Sequence, residues 1–261
     1  MKVRTPAIAG TFYPAGPHVL RKLVAELLAD SAQIAGSRPK ALIVPHAGLP
    51  FSGPVAASAY SSVIPFAEQI DRVLMFGPAH RVAIPGIGAS TAEAFATTLG
   101  QVPIDLESVE KALCLPQVHY SDSAHRFEHS LEIQLPFLQV ILNQFRIVPF
   151  VVGKARPDEV AEVMELLWGG PETLVVVSSD LSHFHDHATA SRTDRRTADL
   201  IESGDTQELI VQRACGFRAI RGLLKCARNR HLSVNTLDIR DSSEAGGDTS
   251  RVVGYGAFLV S

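Results

Sequence analysis

Cysteine is scarce in this chain, and what there is does not pair. Among its 261 residues are three cysteines, Cys114, Cys215 and Cys226. An odd, widely spaced set without a CxxC pair fits no disulfide framework, so a reduced, cytoplasmic setting is the expectation. Long apolar runs are also missing. No stretch approaches the ~20 apolar residues needed to span a bilayer. The opening MKVRTPAIAGTFYP lacks the apolar core of a secretory signal, so no membrane role is expected. Nor is there an excess of one charge: 24 Lys and Arg stand against 27 Asp and Glu, a formal net charge of -3. Such a balance advertises no polyanionic partner, and nucleic-acid binding is not expected. No glycine-rich phosphate loop, internal repeat or long Pro/Gly/Ser linker is present. The chain therefore reads as one domain over residues 1–261.

What is there is ordinary globular material, 46% hydrophobic and 20% charged, enough to bury a sizeable core. Lys40–Pro45, Asp71–Gly77, Arg146–Gly153 and Thr173–Ser179 are almost continuously apolar, as expected for strands covered on both faces. Pro17–Ala29, Pro54–Ile64, Leu131–Leu142, Pro157–Trp168 and Phe217–Asn229 read as helices. Pro17, Pro54 and Pro157 would each occupy a first turn, where a missing N–H costs nothing. Leu232–Asp238 and Val252–Val260 read as two further strands, separated by the turn-rich SSEAGGDTS. Strands alternating with amphipathic segments predict an α/β fold with a largely parallel central sheet flanked by helices.

The polar residues fall at informative places. The first strand ends in Pro45-His46-Ala47-Gly48 and the second in Gly77-Pro78-Ala79-His80. The fourth ends in Ser178-Ser179-Asp180, with His183 three residues on. Open α/β sheets bind ligands beyond the carboxyl ends of their strands, and neutral imidazole is the commonest metal donor. Three imidazoles and a carboxylate aimed at one crevice predict a metal. Any single histidine at a loop start is more often a hydrogen-bonded loop residue, and His18, His119, His185, His187 and His231 are assigned that ordinary role. Glu128-His129-Ser130-Leu131-Glu132 is a second cluster. Residues three and four apart share a helix face, so His129 and Glu132 could act together, with helix capping the plainer account of Glu128 and Glu132. Cys114 and Cys226, inside apolar helical runs, read as core residues. Cys215 precedes Gly216 at a break between helical stretches, with Arg213 and Arg218 nearby. That setting favours thiolate. It makes Cys215 a metal ligand or a reactive thiol, with an inert loop cysteine as the alternative. Arg218, Arg221, Lys225 and Arg228 form a basic helical stripe, ordinarily a solvated face; a site for an anionic partner is the sharper reading.

PHAG (45–48), GPAH (77–80), EHSLE (128–132), SSDLSH (178–183), Cys215-Gly216 and the opening AIAGTFYP (7–14) occur in the order and spacing of the Memo family, which the chain resembles along essentially its whole length. The resemblance implies the fold of class III extradiol dioxygenases, which use non-haem Fe(II). It implies a metal site of His46, His80 and Cys215, with Asp180, His183 and His129 in the same cleft. It also implies partners, since prokaryotic members are paired with a radical-SAM protein and an AMMECR-type protein. A thiolate in place of the dioxygenases' carboxylate is a softer donor, which admits copper or zinc beside iron.

Three functions follow as expectations. The first is an iron or copper redox protein acting on a small molecule or peptide in the cleft, with His183 or His129 as acid or base and Asp180 orienting one of them. The second is a zinc hydrolase with Asp180 or Glu132 as base. The third is a non-catalytic module that binds a peptide or protein in the same cleft. All need His46 and His80 close together: ring nitrogens more than roughly 6 Å apart could not share one ion at zinc–nitrogen bonds of ~2.0–2.1 Å.

Overall fold

Continuous apolar strands have no polar face to show water and must lie between two covering layers. The computed structural model, which describes residues 1–31, 37–246 and 248–261, places them so. In chain order the elements are β1 (Val3–Arg4), α1 (Pro17–Asp30), β2 (Ala41–Val44) and α2 (Leu49–Tyr60). Next come β3 (Arg72–Pro78), β4 (Ile87–Ala89), β5 (Ala94–Thr97), β6 (Gly100–Pro103) and α3 (Leu106–Leu113). They are followed by β7 (Val118–Tyr120), α4 (Asp122–Arg126), α5 (Leu135–Ile141), β8 (Arg146–Val152) and α6 (Pro157–Leu167). The last are β9 (Thr173–Ser178), β10 (His183–His185), α7 (His187–Ser203), α8 (Phe217–Asn229), β11 (Val234–Asp241) and β12 (Val252–Val260).

The main sheet has nine strands in the order β10-β12-β2-β9-β3-β8-β4-β7, with β11 also on β12, and β1-β5-β6 form a small second sheet. The inner strands β2, β9, β3 and β8 are parallel, as expected. The flanks are not: β12 runs antiparallel to β2, and β4 antiparallel to β8. The sheet is therefore mixed, and the C-terminal strand caps the parallel core by its own short connection from β11. Ala41–Val44 and Thr173–Ser178 are buried at every position, which explains their unbroken apolar sequence. Among the described residues no helix is long and apolar enough to cross a membrane.

Three local expectations need correction. The second helix starts at Leu49, because Pro50 takes the first-turn place assigned to Pro54, which lies inside the helix. The segment expected as one helix over 131–142 divides into a 3-10 turn, Glu132–Gln134, and α5. Cys226 is buried as expected, but Cys114 is exposed. Helix α3 buries Ser108, Val109 and Ala112, and at ~100° per residue Cys114 turns away from that face. Residue 247, in the loop expected before the last strand, lies outside the described residues.

Candidate metal centre

Parallel neighbours deliver their carboxyl ends to one edge of a sheet. Strand β9 lies between β2 and β3, with Val44 in register with Ser178 and Phe76 with Val177. His46, Asp180 and His80 leave this edge side by side. Helix α8 brings the fourth group. Its start is pressed on β9 so closely that a Cβ at Gly216 would lie 2.7 Å from the Ser178 carbonyl oxygen, which is why glycine follows Cys215. The Cys215 amide donates to the Asp180 carbonyl at 3.3 Å, and the Gly216 amide to Ser179 Oγ at 2.9 Å.

The result brings together the three residues expected as ligands. Cys215 Sγ lies 3.3 Å from His46 Nε2, and one potential ligand atom from each of His46, His80 and Cys215 falls within 4.8 Å of the others. Tetrahedral bonds of ~2.0–2.3 Å place donors about 3.6 Å apart, so one ion fits with small adjustments. The hydrogen bonds fix which nitrogens face it. Ser178 Oγ donates its single proton to the Ser130 carbonyl at 2.6 Å and accepts from Gln134 Nε2 at 3.0 Å. It must therefore accept from His46 Nδ1, 2.9 Å away, which leaves Nε2 bare toward Cys215. His80 Nδ1 donates to Glu128 Oε1 at 3.0 Å, and the His80 amide to Glu128 Oε2 at 2.7 Å, so His80 Nε2 is bare as well. Each imidazole is thus held by a partner behind it in a tautomer that could bind a metal.

The electrostatics agree. Burial first, and then the neighbouring His80 and His129, hold the His46 imidazole well below its usual range, so it is neutral and ready to coordinate. Burial works to raise the Glu128 carboxyl, but the hydrogen bond and charge of His80, with His129 beside it, outweigh this and bring it to about 2. Cys215 departs from expectation. Burial, reinforced by Asp180, pushes its thiol up to about 12. The helix start and nearby arginines do not make a free thiolate; a metal must displace the thiol proton.

The remaining residues divide. His129 stacks on His80 (ring centroids 4.8 Å) and meets His46 edge-on at 5.3 Å. Its buried Nδ1 has no hydrogen-bond partner, and its nearest carboxylate oxygen, on Glu128 at 3.2 Å, is poorly aligned. His183 donates from Nδ1 to the Leu181 carbonyl at 2.9 Å, leaving Nε2 able to take a proton. Asp180 orients neither histidine. One of its oxygens accepts the His46 amide at 2.7 Å, and the other stands 3.8 Å from His46 Nε2. Glu132 is not part of the site. Fully buried, it accepts from Arg4 Nη1 (2.6 Å), Tyr13 Oη (2.8 Å) and the amides of Ala7 and Ile8, so it neither caps a helix nor assists His129. His187 pairs with Asp241 at 2.7 Å at the start of α7, and His185 is exposed.

A family model described as Memo-like protein matches residues 4–259. The chain belongs to the Memo family. A MEMO1 family protein of Aquifex aeolicus is 34% identical over 267 residues, covering 98% of both chains. One of Methanosarcina barkeri is 33% identical over 271 residues, covering 99% of this chain and 100% of the relative. One of Sulfolobus acidocaldarius is 33% identical over 281 residues, covering 97% of both.

Three residues that serve the site in this Memo chain are hard to see residue by residue. Helix capping is the plainer account of Glu128 in the sequence, whereas its bond to His80 appears only in the fold, which joins positions 48 residues apart. Gln134 lies outside the family motifs, and Ser178, though it opens SSDLSH, shows its role only once Ser130, Gln134 and His46 are seen around it. His125 was also passed over: buried, it donates from Nε2 to the Gly88 carbonyl at 2.9 Å. Burial, with the Arg4 charge adding, holds its pKa near about 4.

These buried imidazoles predict a pH dependence. An unfolded histidine takes a proton near pH 6.5, whereas His46, His125 and His129 stay neutral below that when folded. The unfolded state then binds more protons, so stability falls as pH falls from about 6.5 toward 4. Asp194, raised to about 6 chiefly by burial, opposes this between its unfolded value and pH 6, and Asp180, also raised chiefly by burial, acts in the same sense. In chelator, urea titrations at pH 7 and pH 5 are expected to show a loss at pH 5. His125→Gln is expected to flatten the slope by up to about 1.4 kcal/mol per pH unit, one proton's worth.

Proposed function

We propose that this chain is a redox metalloprotein that holds iron or copper through His46, His80 and Cys215 and receives a small molecule in the adjoining cleft. The observation that carries the reading is the 3.3 Å approach of His46 Nε2 to Cys215 Sγ, with His80 completing a group within 4.8 Å. Two imidazoles and a thiolate suit a borderline or soft ion better than magnesium or calcium. When bound, such an ion supplies one-electron chemistry and open coordination positions. The protein supplies the rest. Ser178 and Glu128 fix the two ligand tautomers. His183, with Nδ1 tied to Leu181, offers Nε2 for proton transfer, and Asp180 holds the His46 backbone in place. Association with a radical-SAM protein and an AMMECR-type protein belongs to the same proposal and is checked by co-purification.

Zinc-dependent hydrolysis is the second reading. It is favoured by the Asp180 carboxyl, raised chiefly by burial and 3.8 Å from His46 Nε2, which would suit a base acting on water. Metal analysis of anaerobically purified protein separates the two. Stoichiometric iron or copper, lost in both His46→Ala and Cys215→Ala, is the expected result. Zinc lost in both would put hydrolysis first. Absence of any metal after reconstitution would sink both and leave a binding module.

A further inference from the structure

A cleft of about 280 Å³ opens directly on the metal centre, with His80 and Cys215 in its wall and Lys154 and Arg218 beside them. Among the described residues no aspartate or glutamate lines it. From this we infer that the substrate is a small organic anion. Its acid group would sit at Lys154 and Arg218, and its apolar body on Ile84 and Val152, which puts its far end at His80 and Cys215. The inference deepens the metal-site reading by naming its substrate class.

Among the described residues, the charged side chains lining this cleft are both cationic. Nearby, Lys225 on α8 meets Asp158 at 2.6 Å, Arg230 just past that helix meets Glu165, and Arg156 meets Glu159 at 3.1 Å. Among the described residues Arg218 and Lys154 have no such partner. Arg218 also stands in the first turn of α8, which contains no acidic residue, where the helix dipole repels a cation. Its guanidinium is kept over the Phe217 ring, 4.5 Å from the centroid. Lys154 is fixed by its backbone, its amide donating to the Ile84 carbonyl at 2.9 Å. Two cations and a helix start at one small cleft without a lining carboxylate favour an anion there. The volume, just under the ~300–1,000 Å³ of drug-sized sites, suits a single-ring acid rather than a long peptide.

The test uses benzoate, its neutral isostere benzamide, and inorganic phosphate. Each is titrated into the full chain and followed by amide chemical shifts, with metal content measured on the same samples. Benzoate is expected to shift the amides of His80, Lys154 and Arg218 and to bind about tenfold or more tighter than benzamide, the value of one charge-assisted hydrogen bond. Arg218→Gln and Lys154→Gln should each lose about that factor, with Arg218→Lys recovering part of it and all three variants keeping the wild-type metal content. Equal binding of benzoate and benzamide, unchanged affinity in both glutamine variants, or no benzoate binding would overturn the inference while leaving the metal reading standing. Phosphate binding as tightly as benzoate would overturn the organic part. A metal-free protein that still selects benzoate would instead remove the metal reading and keep this one.

Discussion

Arg4→Met is expected to destabilise the protein by about 3–5 kcal/mol, the range for stripping one partner from a buried ion pair. The Arg4 side chain is 6% exposed and Glu132 is 0% exposed. Arg4 also donates from Nε to the His125 carbonyl at 2.7 Å and from Nη2 to the Glu128 carbonyl at 2.6 Å. Its loss would leave a carboxylate in the interior without its cation and remove a donor from two carbonyls, of which that of His125 keeps the Glu128 amide at 3.3 Å. Glu132 in turn holds the N-terminal segment through Ala7, Ile8 and Tyr13. The discriminating measurement is a double-mutant cycle in urea. Glu132→Gln in the Arg4→Met background should recover part of the loss, because a neutral amide tolerates burial without the cation, with a coupling energy of about 1–3 kcal/mol. Strictly additive effects would mean that the pair contributes no more than its separate contacts.

The second large effect is expected at Glu128. Glu128→Gln should weaken metal binding by about 10–100-fold, the usual cost of losing a partner behind a ligand histidine. The glutamine keeps the shape but cannot accept from both the His80 amide and Nδ1, and also from the amides of His129 and Ser130, as the carboxylate does. The His80 ring would lose the partner that fixes its tautomer, and the cluster its negative charge. Competition against a chelator of known affinity measures the change. Unfolding at neutral pH, run alongside, should shift by far less than the loss of metal affinity corresponds to; a matching shift would assign Glu128 to the fold alone.

Much of this site was legible in the chain because parallel α/β sheets collect the ends of apolar strands. His46 and His80 follow two such strands, and a sheet with β9 between β2 and β3 leaves them nowhere else to meet. Cys215 was less certain, because it follows no strand and arrives on a helix whose approach depends on Gly216 packing against Ser178. Its protonation was misread for a related reason. Arginines close in sequence suggested a thiolate, but burial and Asp180, distant in sequence, decide the matter. Glu132 failed similarly: helical spacing paired it with His129, whereas the fold hands it to Arg4 at the other end of the chain. The strands β4, β7 and β10, toward the two ends of the sheet, are three residues each, too short to show a periodicity.

The pairing of His46 with Cys215 joins positions 169 residues apart. At ~5–20 residues per second, a chain under synthesis exposes His46 roughly 10–30 s before Cys215 exists. During that interval it carries an incomplete donor set, without the sulfur that favours soft ions. A metal held by all three groups would bind only after Cys215 has been made and α8 has packed on β9, so the complete donor set belongs to the folded chain.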